Sequence, residues 1–171
     1  MKTKLSIFDF DGTLVDTPLP EFGKKHYKEQ TGKDWPFQGW WGRPLSLDMK
    51  IFDMPSVPMV IDAYDIEKQD PSTVMVMLTG RMVLLTIDVK EILDSKDLKF
   101  DEYHFNKGGA TEVAKMKTIE SLLHKYPHVT EIELWDDREL HIPIFEAFGQ
   151  KLVEDGRITS FIVNLVPADI H

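Results

Sequence analysis

"KLSIFDFDGT", residues 4–13, is the stretch on which the fold turns. Leu5, Ile7, Phe8 and Phe10 make a nearly continuous apolar run, the signature of a strand buried on both faces of a sheet. Asp9, Asp11 and Gly12 then break that run abruptly. In open parallel sheets, ligands bind outside the carboxyl ends of the strands, so the two acids stand where chemistry is expected. Alternate strand residues point to one side, which predicts that the Asp9 and Asp11 carboxylates converge on one spot. Gly12 permits a tight turn against a bound group. A hard cation such as Mg²⁺, held by oxygens in an octahedral shell, would relieve the repulsion between the acids. The plainer reading is a turn with solvated acids, since Asp-Gly is an ordinary turn signal.

Working outward, the same kind of run recurs as "TVMVMLTG" at 73–80, "TEIELWD" at 130–136 and "ITSFIVNLV" at 158–166, with "DEYHF" at 101–105 as a fifth candidate. Between them lie helix-period segments from Val83 to Leu93, Val113 to Tyr126 and Leu140 to Leu152. The last places Ile144, Phe145, Phe148 and Leu152 on one face. Strand and helix in alternation predict an α/β fold with a mainly parallel sheet covered on both faces. Pro18 to Pro71, rich in proline and carrying "QGWWGRP" at 38–44, interrupts the rhythm and is read as a small insertion over one end of the sheet. The expectation is a single domain over 1–171 with that insertion at about 18–71.

Other strand ends carry chemistry-bearing residues too. The second ends in "LTGR", where Thr79, Gly80 and Arg81 suggest an anion-binding nest at a strand-to-helix junction, or a threonine helix cap followed by glycine. "TEVAKMK" opens the next helix, and Lys115 or Lys117 can reach back toward a phosphate or an aspartate. "ELWDDRELH" places Asp136 and Asp137 at the end of another strand, where an aspartate also serves to cap the following helix. Four strand ends or following turns with Asp, Thr, Lys and Asp, in that order, are hard to attribute to capping alone.

Composition bounds the function. The formal net charge of -9 disfavours extended binding along nucleic acid, which relies on clustered Lys and Arg. With no cysteine in 171 residues, disulfides and thiolate metal sites are excluded. Asp9 and Asp11 interrupt the opening run too early for a signal peptide, and no apolar stretch approaches the roughly 20 residues that span a bilayer. These features predict a soluble, cytoplasmic protein, a monomer or weak dimer, with no membrane partner.

"DFDGTLVD", "LTGR", the following lysine and "WDDR" together resemble the four signatures of the haloacid dehalogenase (HAD) superfamily of phosphotransferases. The resemblance implies a Rossmann-like three-layer α/β/α sandwich with a small cap, a Mg²⁺ cofactor and a phosphatase working through an aspartyl-phosphate. Asp9 would be the nucleophile, Asp11 the general acid and base, and Thr79 the holder of the transferring phosphoryl oxygens. Asp9, the backbone carbonyl of Asp11, and Asp136 would bind Mg²⁺, with Asp137 as an alternate ligand. "T-x-x-x-K", Thr111 to Lys115, and "DDRELH" are similar to the Swiss Army Knife RNA repair-like HAD domains, and that register favours Lys115. Spacing compared with the phosphatase domain of polynucleotide kinase–phosphatases favours Lys117 instead. In both groups an arginine follows "LTG". With Gly80, Arg81 and Arg138 would contact substrate, since guanidinium forks suit phosphate oxygens.

The implied substrate is a phosphorylated small molecule, a nucleotide or a nucleic-acid end. His141, one helical turn beyond Arg138, is expected to support the loop. Trp40 and Trp41 would stack a base, close a lid or serve as packed anchors. The competing expectation is a phosphate-binding or regulatory module on the same fold without turnover. A receiver domain would carry its acidic pair adjacent after the first strand, unlike "DFDGT". "TGKD" at 31–34 lacks what a Walker loop requires.

Overall fold

The computed structural model describes residues 1–168. Five strands, β1 (Lys4–Phe8), β2 (Thr73–Met82), β3 (Glu102–Asn106), β4 (Glu131–Asp136) and β5 (Ser160–Leu165), form one sheet in the order β3-β2-β1-β4-β5. Every pairing is parallel. The helices are α1 (Pro20–Thr31), α2 (Pro58–Lys68), α3 (Thr86–Ser95), α4 (Thr111–Lys125) and α5 (Ile142–Glu154).

The strand period of two sorts the side chains into two cores. Phe8, Met75, Met77 and Trp135 point to one face and meet Val60 and Tyr64 of α2 and Val89, Ile92 and Leu93 of α3. This core is aromatic-rich; the Phe8 and Trp135 rings stack at 4.5 Å. Leu5, Ile7, Val74, Val76, Ile132 and Leu134 point to the other face, an aliphatic core closed by Ile119, Leu122 and Leu123 of α4 and Phe145 of α5. The result is the expected three-layer sandwich.

Two details depart from the sequence expectations. α2 lies within the segment read as an insertion, yet it packs on the sheet itself, with Tyr64 edge-on to Phe8. It is the crossover helix between β1 and β2, and what gathers beyond the sheet end is α1 and the loop around Trp40 and Trp41. On α5, Ile144 is 40% exposed and does not share the buried face of Phe145; Gly149 occupies that face, pressed beneath Phe161.

The topology also places the site. From β1 the chain moves outward to β2 and β3 with α2 and α3 on one face, then returns to β4 and β5 with α4 and α5 on the other. The direction reverses between β1 and β4, and such a switch point leaves a crevice at the strands' carboxyl ends.

Candidate active site

Asp9 follows directly on β1 and Asp136 closes β4, so the two flank the switch point; the Asp9 N–H donates to the Trp135 carbonyl at 3.0 Å. Strand alternation decides which layer each side chain joins. Asp9 continues the Leu5, Ile7 row and Asp136 the Ile132, Leu134 row, and both therefore face α4. There Lys115 Nζ donates to Asp9 Oδ1 at 3.1 Å and to Asp136 Oδ2 at 2.8 Å. Lys115 is 2% exposed and Asp136 is fully buried, whereas Lys117 is exposed on the same helix. The geometry thus brings Lys115, and not Lys117, to the acids.

Asp137, of opposite parity, turns toward the β1 loop and lies over Gly12. Gly12 has φ +69°, and a Cβ there would come within 2.2 Å of Asp137 Oδ2, so any larger residue would be both strained and obstructed. Each of Asp9, Asp136 and Asp137 offers an oxygen within 4.8 Å of the others. At that separation each pair of ionised carboxylates repels by about 3 kcal/mol at an effective dielectric near 20. One ammonium stands against three carboxylates. Burial, together with the crowding of Asp136, pushes the Asp9 carboxyl well above its usual range, despite the pull of Lys115. Burial likewise raises Asp137. Burial works against the Lys115 ammonium, but the attraction of Asp9 and Asp136 outweighs it and holds the lysine above its ordinary value. An all-oxygen donor set with surplus negative charge suits a hard divalent cation.

Asp11 behaves differently from the expectation drawn from alternation. β1 ends at Phe8, and the chain then folds into a tight loop in which the Leu14 N–H donates to the Asp9 carbonyl and the Gly12 N–H to the Val15 carbonyl. Side-chain parity no longer applies, and the Asp11 carboxylate is not part of the group that Asp9, Asp136 and Asp137 form. Arg81 closes on it, with Nε donating to Oδ2 at 2.9 Å and Nη2 to Oδ1 at 2.7 Å. Thr17 adds a hydrogen bond to Oδ1 at 2.6 Å. Arg81 Nη1 donates to the Trp41 carbonyl and the Ser46 hydroxyl. The fork expected to face a substrate phosphate is therefore turned onto a carboxylate.

A cleft of about 500 Å³ opens over these groups; Asp9, Asp11, Gly80, Lys115, Asp137 and Arg138 contribute to its wall. Thr79 does not line it. β2 runs on through Met82 rather than ending at the threonine, so Thr79 lies buried behind the wall and its Oγ1 accepts the Arg81 N–H at 3.0 Å. Thr111 lines the cleft in its place. Its side chain packs so tightly on Gly80 that a Cβ at residue 80 would lie 2.7 Å from Thr111 Cγ2. Thr111 was not singled out as a site residue, although it lies four residues before Lys115 and hence on the same helical face. Leu19, Trp41 and Arg81 complete the wall.

Arg138 is exposed, and its backbone N–H donates to Asp136 Oδ1 at 2.9 Å, fixing that carboxylate in an Asx turn. His141 sits 3.4 Å from Glu112 and edge-on to Phe145, joining the starts of α4 and α5; burial and the nearby Arg138 hold its pKa below the usual histidine value. Among the described residues, no helix is long and apolar enough to cross a membrane.

A family model for HAD domain family 1 in Swiss Army Knife RNA repair proteins matches residues 30–170, a span that starts after the Asp9 motif. The chain is 25% identical over 173 residues to the uncharacterized protein YMR265C of Saccharomyces cerevisiae, a match taking in 88% of this chain and 38% of the yeast protein. It thus spans well under half the length of that relative. Among solved structures, one chain of a Pnkp1/Rnl/Hen1 complex aligns with a TM-score of 0.58 at 16% identity, over 97% of this chain and 46% of that one. The archaeal beta-phosphoglucomutase of Pyrococcus sp. strain ST 04 aligns with a TM-score of 0.55 at 14% identity, over 86% and 84% of the two chains. The haloacid dehalogenase-like hydrolase SP0104 of Streptococcus pneumoniae gives 0.52 at 15% identity, over 94% and 93%. At such identities these structures speak to the fold. The family match covers most of the chain, and by it the chain belongs to HAD domain family 1 of the Swiss Army Knife RNA repair proteins.

Proposed function

We propose that the protein is a Mg²⁺-dependent phosphomonoester hydrolase that works through a phosphorylated Asp9, acting on a nucleotide or nucleic-acid end. The observation that carries this reading is the cluster of Asp9, Asp136 and Asp137 around one buried lysine, with Asp9, Asp137 and Lys115 lining the cleft. Asp9, Asp136, Asp137 and the Asp11 carbonyl would hold the cation, which when bound offsets the repulsion between an anionic nucleophile and an anionic phosphate.

The remaining chemistry belongs to the chain. An oxygen of Asp9 attacks phosphorus and the bond from phosphorus to the leaving oxygen breaks, while Asp11 gives that oxygen a proton. Water then attacks the phosphorus of the acyl phosphate, Asp11 takes the water's proton, and the Asp9–phosphorus bond breaks to release inorganic phosphate. Lys115 holds Asp9 in place and offsets charge in both steps. Thr111, beside Gly80, donates its hydroxyl to a phosphoryl oxygen. Arg81 is the positioning residue for Asp11. The segment containing α1 and Trp41 acts as the cap.

A second reading, a phosphate-binding module without turnover, draws on the engagement of both Asp11 oxygens by Arg81. Phosphate release from an aryl phosphate and from 3′- and 5′-phosphorylated oligonucleotides separates the two. Hydrolysis that requires Mg²⁺ and both Asp9 and Asp11 supports the enzyme. Phosphate affinity indifferent to Asp11→Asn, with no release from any ester, supports the module.

A further inference from the structure

The adjacent tryptophans have opposite fates. Trp40 is 3% exposed and packs against Trp35 at 4.6 Å and Phe52 at 5.5 Å. Trp41 is 43% exposed, on the wall of the cleft that holds the acids. Burying an indole is strongly favourable, so packing accounts for Trp40 and leaves Trp41 unexplained.

Trp41 is also held firmly. The Arg81 guanidinium lies over its ring at 4.9 Å, and Arg81 Nη1 donates to the Trp41 carbonyl at 2.7 Å. Arg81 is itself fixed by Asp11 and Ser46. The ring is thus a braced shelf rather than a swinging side chain. Past it, a second cavity of about 340 Å³ shares Asp11, Leu19, Trp41 and Asp137 with the cleft and adds Phe22. Leu19 and Phe22 are 55% and 66% exposed. A route therefore leads from the carboxylates, past Asp11, onto a wall where Trp41, Leu19 and Phe22 stand beside Asp16 and Thr17.

We propose that Trp41 is a specificity-determining residue that stacks the nucleobase adjoining the scissile phosphate, with Leu19 and Phe22 bordering the base. This rests on the phosphatase reading given above and assigns recognition of its substrate's base to one residue. A base has a π-face for the indole, which a polyol lacks.

The test compares kcat/KM for adenosine 3′- and 5′-monophosphates with that for ribose 5-phosphate, in the wild type, Trp41→Leu and Trp41→Phe. The backbone carbonyl that receives Arg81 survives both substitutions. The expected result is a preference for the nucleotides of about tenfold or more, the scale of one base–aromatic stack. The ratio collapses in Trp41→Leu and is largely restored in Trp41→Phe. A 3′-phosphorylated dinucleotide distinguishes a free nucleotide from a strand end. A wild type that treats both esters alike, or a Trp41→Leu that slows both by one factor, overturns the proposal. If the wild type hydrolyses nothing, the phosphatase reading fails separately, and stacking is then read from quenching of indole fluorescence by adenosine monophosphate. Quenching lost in Trp41→Leu upholds the shelf; no quenching in the wild type overturns it.

Discussion

Two lysines in this molecule each bridge two carboxylates, and they do so to different ends. Lys4 spans Glu67 at 2.8 Å and Glu133 at 3.0 Å, with all three side chains about one-fifth exposed. Its carboxylates are finished by neutral donors: Ser6 Oγ on Glu67 and Asn164 Nδ2 on Glu133. Lys115 spans Asp9 and Asp136 almost without solvent, and a third carboxylate, Asp137, crowds in. Asp9 Oδ2 accepts a long 3.4 Å hydrogen bond from Thr13. The first arrangement is a clasp between α2 and the sheet, complete in itself. The second is buried and carries uncompensated negative charge. Stability alone does not favour such a site; a cation and a phosphate would complete it.

That contrast can be broken or sharpened experimentally, most severely at Asp9. On the proposed reading Asp9→Asn lowers turnover of an aryl phosphate by about a thousandfold or more, as loss of a nucleophile does. Metal-free stability in urea should meanwhile change by no more than about 1 kcal/mol, because one of three crowded charges is removed. A thousandfold loss accompanied by global unfolding would instead make Asp9 a structural residue.

Next in size, Lys115→Met strands buried carboxylates and should cost about 3–5 kcal/mol in urea unfolding. A cost near that of an exposed pair would show that the cluster is open to water. Mg²⁺ comes third. At roughly 10 to 100 times its dissociation constant it should stabilise the wild type by about 1.4–2.7 kcal/mol, seen as a rise in Tm, and Asp136→Asn should abolish most of that gain. An equal rise in both proteins would place the ion elsewhere.

Lys4→Met is the smallest, at about 1 kcal/mol or less for a partly exposed pair. Burial lowers the Lys4 pKa, but its bonds to Glu67 and Glu133 outweigh that and raise it above 10.5. Its stabilisation is therefore full below about pH 10.5 and fades as pH rises through the folded value. The urea gap between wild type and Lys4→Met should shrink accordingly between pH 9 and 12; a gap that widened would refute the sign.

Much of this was legible along the chain, because strand parity and helix period are local properties. The five strands stand where the apolar runs stand, and Asp9 and Asp136 fall at the ends of two of them. The runs also indicated a parallel sheet, since strands covered on both faces need not alternate. Parity misled at Asp11, where the chain had already left the strand; at Thr79 the expected strand-to-helix junction lay too early, because the strand runs on to Met82.

Other matters lay beyond local pattern because they depend on contacts between distant parts of the chain. Lys115 and Lys117 are equivalent as letters, and only the packing of α4 on the sheet brings the first to Asp9, 106 residues away. Trp40 and Trp41 are indistinguishable until one finds the aromatic core and the other the Arg81 guanidinium. Arg81 reaches Asp11, 70 residues away, through the docking of the Trp41 loop against β2. The sequence by itself determined the five strands, three of the helices and which strand ends carry charge, since each follows from neighbours a few residues apart. The tertiary structure alone decided which charges are buried together, because desolvation and pairing act through space rather than along the chain.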